Sequence, residues 1–314
     1  DLTSRPPAGR WRLSPSRLLQ GAKGPQGSKD AAWTDRGGYV DGFESVFNPS
    51  GFHIDASLIQ SLDPLFQWVL HTGREALHDA GVRDTTRTGA IFGNLSFPSS
   101  GMAQFAERTW LGEERAALAA ISQSPAENRF MSGLPAHFMA KALGLGGEAY
   151  CLDAACASSL YAIKLACDRL QDRNADVMLA GAVNRADDLF IHVGFTALKA
   201  LSPSGQSRPF HPEADGLVPA EGAGFVVLKR LADAERDGDT IAGVIRGVGL
   251  SNDGRGSGFL APSSEGQIRA MKAAYAMSGL RPHDISLVEC HATGTTVGDA
   301  AELKSMQAVY ADHP

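Results

Sequence analysis

The sequence predicts an α/β fold built on a mostly parallel sheet, and three observations carry that expectation. Short apolar runs bounded by glycine or polar residues recur, as in G-A-I-F-G-N (89–94) and A-D-V-M-L-A-G (175–181). They are apolar throughout, which is the pattern of strands covered on both faces. Stretches of helical periodicity separate them, the alternation that goes with strand–helix–strand units. At 314 residues, rich in Gly and Ala and poor in aromatics, the chain has ample length to bury a core.

Taken in order, residues 1–51 are rich in Gly, Pro, Ser and Arg and read as an irregular lead-in, with Trp11, Trp33, Tyr39, Phe43 and Phe47 as its anchors. The first clear helix has Asp63 as N-cap and Pro64 at the first helical position. Its apolar stripe is Phe66, Val69, Leu70, Gly73, Leu77 and Ala80, and Gly81 ends it. His71 and His78 on this helix are isolated and read as surface or satisfied core residues. Residues 89–94 form a buried strand, and 102–118 and 129–143 are helical. A short apolar run then opens the stretch A-Y-C-L-D-A-A-C-A-S-S-L-Y-A-I-K-L-A (149–166), which ends as a helix. Residues 175–181 make the next strand. Residues 198–224 are Gly-, Pro- and Ser-rich, the composition of a functional loop inside a compact domain. Beyond it come a strand (225–228), a short helix (231–236), a longer strand (241–250), a helix (264–278) and a buried strand (285–290). S-N-D-G-R-G-S-G (251–258) lacks the G-x-x-x-x-G-K-[ST] pattern and opens no helix, so it is not read as a nucleotide loop.

Bulk properties exclude several classes. A formal net charge of −6 argues against general nucleic-acid binding. The four cysteines, Cys151, Cys156, Cys167 and Cys290, show no metal-like spacing and fit a reduced, cytoplasmic compartment. No run approaches a membrane span, no signal peptide is seen, and no metal site is expected.

Two stretches carry chemistry. Cys156 sits among Ala154, Ala155, Ala157, Ser158 and Ser159, small residues that permit a sharp strand-to-helix turn and close substrate approach. A thiol at a helix N-terminus meets the positive end of the dipole, which favours the nucleophilic thiolate. A buried structural cysteine is the competing account. His291 stands at the end of the 285–290 strand, as Cys156 follows its own, and in open α/β sheets ligands collect at that end. Thr293, Gly294, Thr295, Thr296 and Gly298 then supply hydroxyls and bare backbone suited to a thin polar ligand.

Together these stretches resemble the β-ketoacyl synthases, the condensing enzymes of fatty-acid and polyketide assembly. D-A-A-C-A-S-S-L (153–160) is similar to the family's nucleophile motif, and H-A-T-G-T-T-V-G-D (291–299) to its H-G-T-G-T-x-x-G-D loop. A-L-S-P-S-G-Q-S-R-P-F (200–210) and D-G-L-V-P-A-E-G-A-G (215–224) are similar to the segment linking the family's halves. R-G-G-Y-V-D-G-F and L-D-P-L-F-Q-W-V-L match its N-terminal half more loosely. The wording leans toward ketosynthase domains of multidomain polyketide or polyunsaturated-fatty-acid synthases.

The resemblance implies a thiolase-like α/β fold, two βαβαβαββ halves in five layers, with residues 1–224 as the nucleophile half and 225–314 as an incomplete histidine half. It implies that Cys156 accepts an acyl group as a thioester and that His291 stabilises the enolate formed when a malonyl thioester loses CO₂. Thr293 and Thr295 would hydrogen-bond the phosphopantetheine arm. That arm arrives on an acyl-carrier protein, so no cofactor of the domain's own is expected, and the complete domain would be a homodimer. The family's K-x-N-x-G-H histidine and its first strand and helix have no counterpart here, so a piece truncated at both ends, without turnover in isolation, is expected. His211 replaces the usual Asp after R-P-F, and Ala292 replaces the first Gly of H-G-T-G-T. An inactive ketosynthase-like fragment or chain-length-factor subunit, a thiolase-fold acyltransferase using CoA substrates and, more remotely, a Cys/His hydrolase remain the alternatives. Chain-length factors typically replace the nucleophile, which this chain keeps.

Overall fold

A computed structural model describes residues 3–12, 15–19, 30–95, 97–185, 189–255 and 261–311. The elements run α1 (Pro15–Leu18), α2 (Ala56–Ser61), α3 (Pro64–Asp79), β1 (Thr88–Asn94), α4 (Ser100–Leu111), α5 (Glu113–Leu118), α6 (Leu134–Leu143) and β2 (Ala149–Leu152). There follow α7 (Ser158–Gln171), β3 (Val177–Asn184), α8 (Phe190–Ala197), β4 (Gly222–Lys229), α9 (Leu231–Asp237), α10 (Ser264–Ser278) and α11 (Thr296–Tyr310). The fold is α/β with a mixed sheet and surrounding helices, as the sequence leads one to expect.

The four strands lie in the order β2-β1-β3-β4. β1 pairs in parallel with β2 (Phe92 opposite Cys151) and with β3 (Phe92 opposite Gly181), while β4 returns antiparallel to β3. Strand alternation sorts the core into two layers. Ala90 and Phe92 of β1 and Leu179 and Val183 of β3 face α3 and α6, where they meet Phe66, Val69, Leu70 and Met139. Ile91, Met178 and Ala180 face the other way, onto Ala162, Ala166 and Leu170 of α7. The small Ala162 and Ala166 let α7 lie close against β1 and β3. These runs are apolar throughout because both of their faces are covered.

Several boundaries differ from the sequence reading, for identifiable reasons. The helix expected over 102–118 is two, α4 and α5, because Gly112 between them adopts φ 76°. The helix expected from 129 begins at Leu134, with Pro135 in its first turn. Asp63 precedes α3 as expected but does not cap it. Its carboxylate instead accepts from the Ser99 hydroxyl and, at 3.1 Å, from the Gly101 N–H. Two helices that bear on the site, α8 and α11, are not anticipated.

The strands expected at 241–250 and 285–290 do not form. Neither segment joins a ladder among the described residues, and Leu287, expected to be buried, is 80% exposed. Apolar, β-branched composition favours a strand only when an edge is there to receive it. Here the first segment instead runs along α10, where the Val248 N–H points to Met277 Sδ at 3.4 Å. Of the glycine-rich stretch 251–258, positions 256–258 lie outside the described residues.

Candidate active site

β2 ends at Leu152 and α7 begins at Ser158, and the residues between make the tight turn that the small side chains imply. The Asp153 carboxylate accepts from the Ala155 N–H (2.9 Å), and Ala155 adopts φ 50°. The N–H groups of Ala157 and Ser158 donate back to the carbonyls of Ala154 and Ala155 (both 3.1 Å). Ser158 locks the turn: its hydroxyl donates to the Ala155 carbonyl (2.6 Å) and accepts from the Ala154 N–H (2.9 Å). From the adjacent strand, Gly93 makes room, since a Cβ there would lie 2.5 Å from the Ser158 Cβ. The turn therefore presents Cys156, exposed, just ahead of α7. Ser158→Ala leaves the Ala154 N–H without its acceptor and should cost about 1–3 kcal/mol, readable as a lower midpoint in urea unfolding with an unchanged slope.

The second stretch reaches the same place from the far end of the chain. α11 returns two carboxylates to the loop that precedes it. Glu302 accepts from the N–H groups of His291 (2.6 Å) and Ala292 (2.9 Å). Asp299, buried, accepts from the N–H groups of Gly294 (3.0 Å) and Phe210 (2.6 Å). The Gly216 N–H donates to the Gly294 carbonyl at 3.0 Å. Loop 291–295 is thus held between its own helix and the loop 198–221. Ala292 takes φ 50°, a left-handed conformation that glycine adopts without penalty, which accounts for the family's preference there. His211 accepts the Glu213 N–H (3.1 Å) in a local turn.

Sequence reading passes over Glu302 and the Phe210 and Gly216 contacts. The signal for the first is D-A-A-E at the start of a helix-forming run. The other two are backbone groups and leave no mark in the sequence.

The structure brings Cys156 and His291 together. The imidazole interacts with the thiol and holds it below the usual thiol range, against the opposing cost of partly desolvating the thiolate. The same contact raises His291, since each charged form favours the other. The remaining cysteines go the other way. Burial pushes Cys151 up to about 12 and also raises Cys167 and Cys290, with Glu302 adding to the effect at Cys290. A nucleophile must be both accessible and readily ionised, and among the four cysteines Cys156 meets both conditions.

Thr293 and Thr295 lie beside His291 and share a hydrogen bond of 2.9 Å. Thr295 is also the N-cap of α11, accepting from the Gly298 N–H at 3.2 Å. Thr293 accepts the Thr295 N–H at 3.3 Å. With one hydroxyl hydrogen spent between them, one remains to donate elsewhere. Among the described residues no group of three or more His, Cys, Asp or Glu is arranged to hold a metal ion, and no helix is long and apolar enough to cross a membrane.

Two family descriptions match the chain: "Beta-ketoacyl synthase, N-terminal domain" over residues 3–234 and "Beta-ketoacyl synthase, C-terminal domain" over 242–314. Among curated relatives, a PKS-NRPS hybrid synthetase of Aspergillus candidus is 37% identical over 88% of this chain and 11% of its own length. A polyunsaturated fatty acid synthase polypeptide of Thraustochytrium sp. is 36% identical over 79% of this chain and 13% of its own. Among solved structures, a PfaC keto synthase-chain length factor superposes with a TM-score of 0.91 at 38% identity, covering 99% of this chain and 35% of that one. A ketosynthase domain of oxazolomycin assembly from Streptomyces albus gives 0.84 at 28%, with 99% and 51% covered. The chain thus spans a small fraction of the curated relatives' length and about half or less of these solved chains. It belongs to the β-ketoacyl synthase family, in the thiolase superfamily.

Proposed function

We propose that this member of the β-ketoacyl synthase family is a ketosynthase domain that joins an acyl group to a malonyl-derived two-carbon unit by decarboxylative condensation. The observation that carries the reading is the meeting of Cys156 and His291, with the thiol held below its usual range.

In the first half-reaction the Cys156 sulfur attacks the carbonyl of an acyl thioester. The bond to the carrier sulfur breaks, and the carrier leaves as the thiol, with the proton that Cys156 gave up. In the second, the malonyl thioester loses its carboxylate as CO₂, and the electron pair of that C–C bond becomes the enolate. The enolate carbon attacks the Cys156 thioester, a new C–C bond forms, and the Cys156 sulfur leaves as thiolate to be reprotonated. The β-ketoacyl product stays on the carrier.

His291 donates to the enolate oxygen, where negative charge develops. A preorganised donor of this kind contributes about 3 kcal/mol to barrier lowering. The Cys156 N–H offers a donor to the thioester oxygen. Thr293 and Thr295 have one hydroxyl hydrogen between them for the phosphopantetheine arm, which belongs to the carrier-borne substrate. Cys156 comes from the N-terminal half of the chain and His291 from the C-terminal half. An acyl-carrier protein is the natural partner, and a homodimer the natural assembly, for the family as a whole.

The test is to supply an acyl thioester and a malonyl-carrier protein to the domain extended at both ends, as the resemblance requires, and to follow the carrier by mass spectrometry. Appearance of a β-ketoacyl-carrier with stoichiometric CO₂ is expected. Release of free acid as the main product would identify a hydrolase instead and contradict the proposal.

A further inference from the structure

The segment 33–40 of the lead-in grips both ends of the loop 198–221. At the start of the loop, on α8, the Trp33 N–H donates to Thr196 Oγ1 (3.3 Å) and His192 Nε2 donates to the Arg36 carbonyl (3.1 Å). The Trp11 ring packs edge-on against His192, with centroids 5.2 Å apart. At the end of the loop, the Gly38 N–H donates to the Pro219 carbonyl (2.9 Å) and the Glu221 N–H donates to the Gly38 carbonyl (2.8 Å). Glu221 Oε1 accepts from the Val40 N–H (2.8 Å) and from the Arg10 guanidinium, whose other arm donates to the Val40 carbonyl (2.7 Å). Both side chains of this ion pair are almost fully buried. Between the gripped ends lie Phe210 and Gly216, whose N–H groups hold Asp299 and Gly294 beside His291.

We propose that Glu221 is a positioning residue for the Cys156–His291 pair: by tying the lead-in to the end of the 198–221 loop it fixes the loop that holds the histidine. The buried ion pair suits a geometric role: such pairs add little net stability over an apolar replacement, and this one draws Arg10, Val40 and Glu221 into a single arrangement. The second oxygen of Glu221 and Nδ1 of His192 are both buried without a protein partner. Both residues line a cavity of about 10 Å³, together with Gly38, Tyr39, Ile191, Pro219 and Ala220. That volume admits one water molecule. Burial lowers the His192 imidazole, so it is neutral at pH 7, and with Nε2 as its donor Nδ1 carries the lone pair. A water there, donating to both Nδ1 and Glu221 Oε2, would satisfy both atoms and tie α8 to the far end of the loop.

The inference takes from the proposed function only that Cys156 and His291 act as a pair, and its test needs no condensation turnover. In the full chain, Arg10→Met combined with Glu221→Leu replaces the ion pair by apolar side chains of similar volume. The readout is the pH profile of Cys156 alkylation by iodoacetamide, with the modified residue mapped by mass spectrometry. The profile should move upward by about one pH unit, so that alkylation at pH 7 slows about tenfold. Glu221→Gln keeps an acceptor for the Val40 N–H but removes the counter-charge of the buried Arg10, and its profile should fall between those of the parent and the double variant. Should the double variant fail to fold, Gly38→Val serves in its place. A Cβ at Gly38 would lie 2.9 Å from the Ala220 Cβ, so the valine wedges the lead-in away from the loop, and the same upward shift is expected. An unchanged profile in either folded variant overturns the inference. If His291→Ala also leaves the profile unchanged, the pairing itself is at fault rather than the role of Glu221.

Discussion

Replacing Cys156 by alanine is expected to abolish acyl loading and condensation together, by roughly 10⁴-fold or more, as loss of a covalent nucleophile does. The fold should survive, because the turn is held by Ser158 and by the backbone of Ala154, Ala155 and Ala157 rather than by the thiol. Unfolding midpoints of parent and variant should therefore agree while activity disappears. Cys156→Ser sharpens the point. It keeps the shape and a hydroxyl near His291, but an alcohol does not ionise in the accessible range, so loading should remain lost. Alkylation of the parent should fall first on Cys156, since burial raises Cys151, Cys167 and Cys290. Preferential modification at any of those three would contradict the assignment.

The second large effect concerns His291, to which the proposed function gives two separable tasks: holding the Cys156 thiol down and donating to the enolate. His291→Ala removes the largest influence lowering the thiol and leaves burial, which raises it. Ionisation then moves upward, so acyl loading slows at pH 7 and recovers as the pH rises through the new value. Decarboxylation of the malonyl thioester has no such recovery. The charge it develops lies on the enolate oxygen, and raising the pH does not restore a donor there. Loading that returns at high pH with decarboxylation still absent is the expected result, measured as acyl-enzyme formed and CO₂ released. Equal loss of both steps at every pH would point to a structural role for the histidine.

The contrast between local and long-range contacts also explains which parts of the molecule are legible in the sequence. Cys156 and its turn are readable because the information is local: small residues between an apolar run and a helical stripe. The core follows for the same reason, since strands β1 and β3 and helix α7 show their burial residue by residue. His291 is readable as a motif, but not the means by which it is held. Phe210 and Asp299 are 89 positions apart, and the groups that join them are a backbone N–H and a carboxylate of kinds that any loop can contain. Thr295 illustrates a subtler limit. Its hydroxyl suggests ligand binding, yet it also caps α11, and a threonine before a helix carries both meanings in one letter. The segments 241–250 and 285–290 read as strands because their composition suits a sheet, while pairing depends on a neighbour that composition does not specify. The clasp formed by Arg10, Val40 and Glu221 is invisible for the same reason, being assembled from contacts of long sequence separation.

The measurement that bears most directly on the central claim is the pH dependence of Cys156 alkylation, in the parent chain and in His291→Ala. A parent midpoint below the ordinary thiol range of about 8.5, moving upward when the imidazole is removed, is the predicted result. A parent midpoint at or above that range, unmoved by His291→Ala, would contradict the pairing of thiol and imidazole on which the proposed chemistry rests.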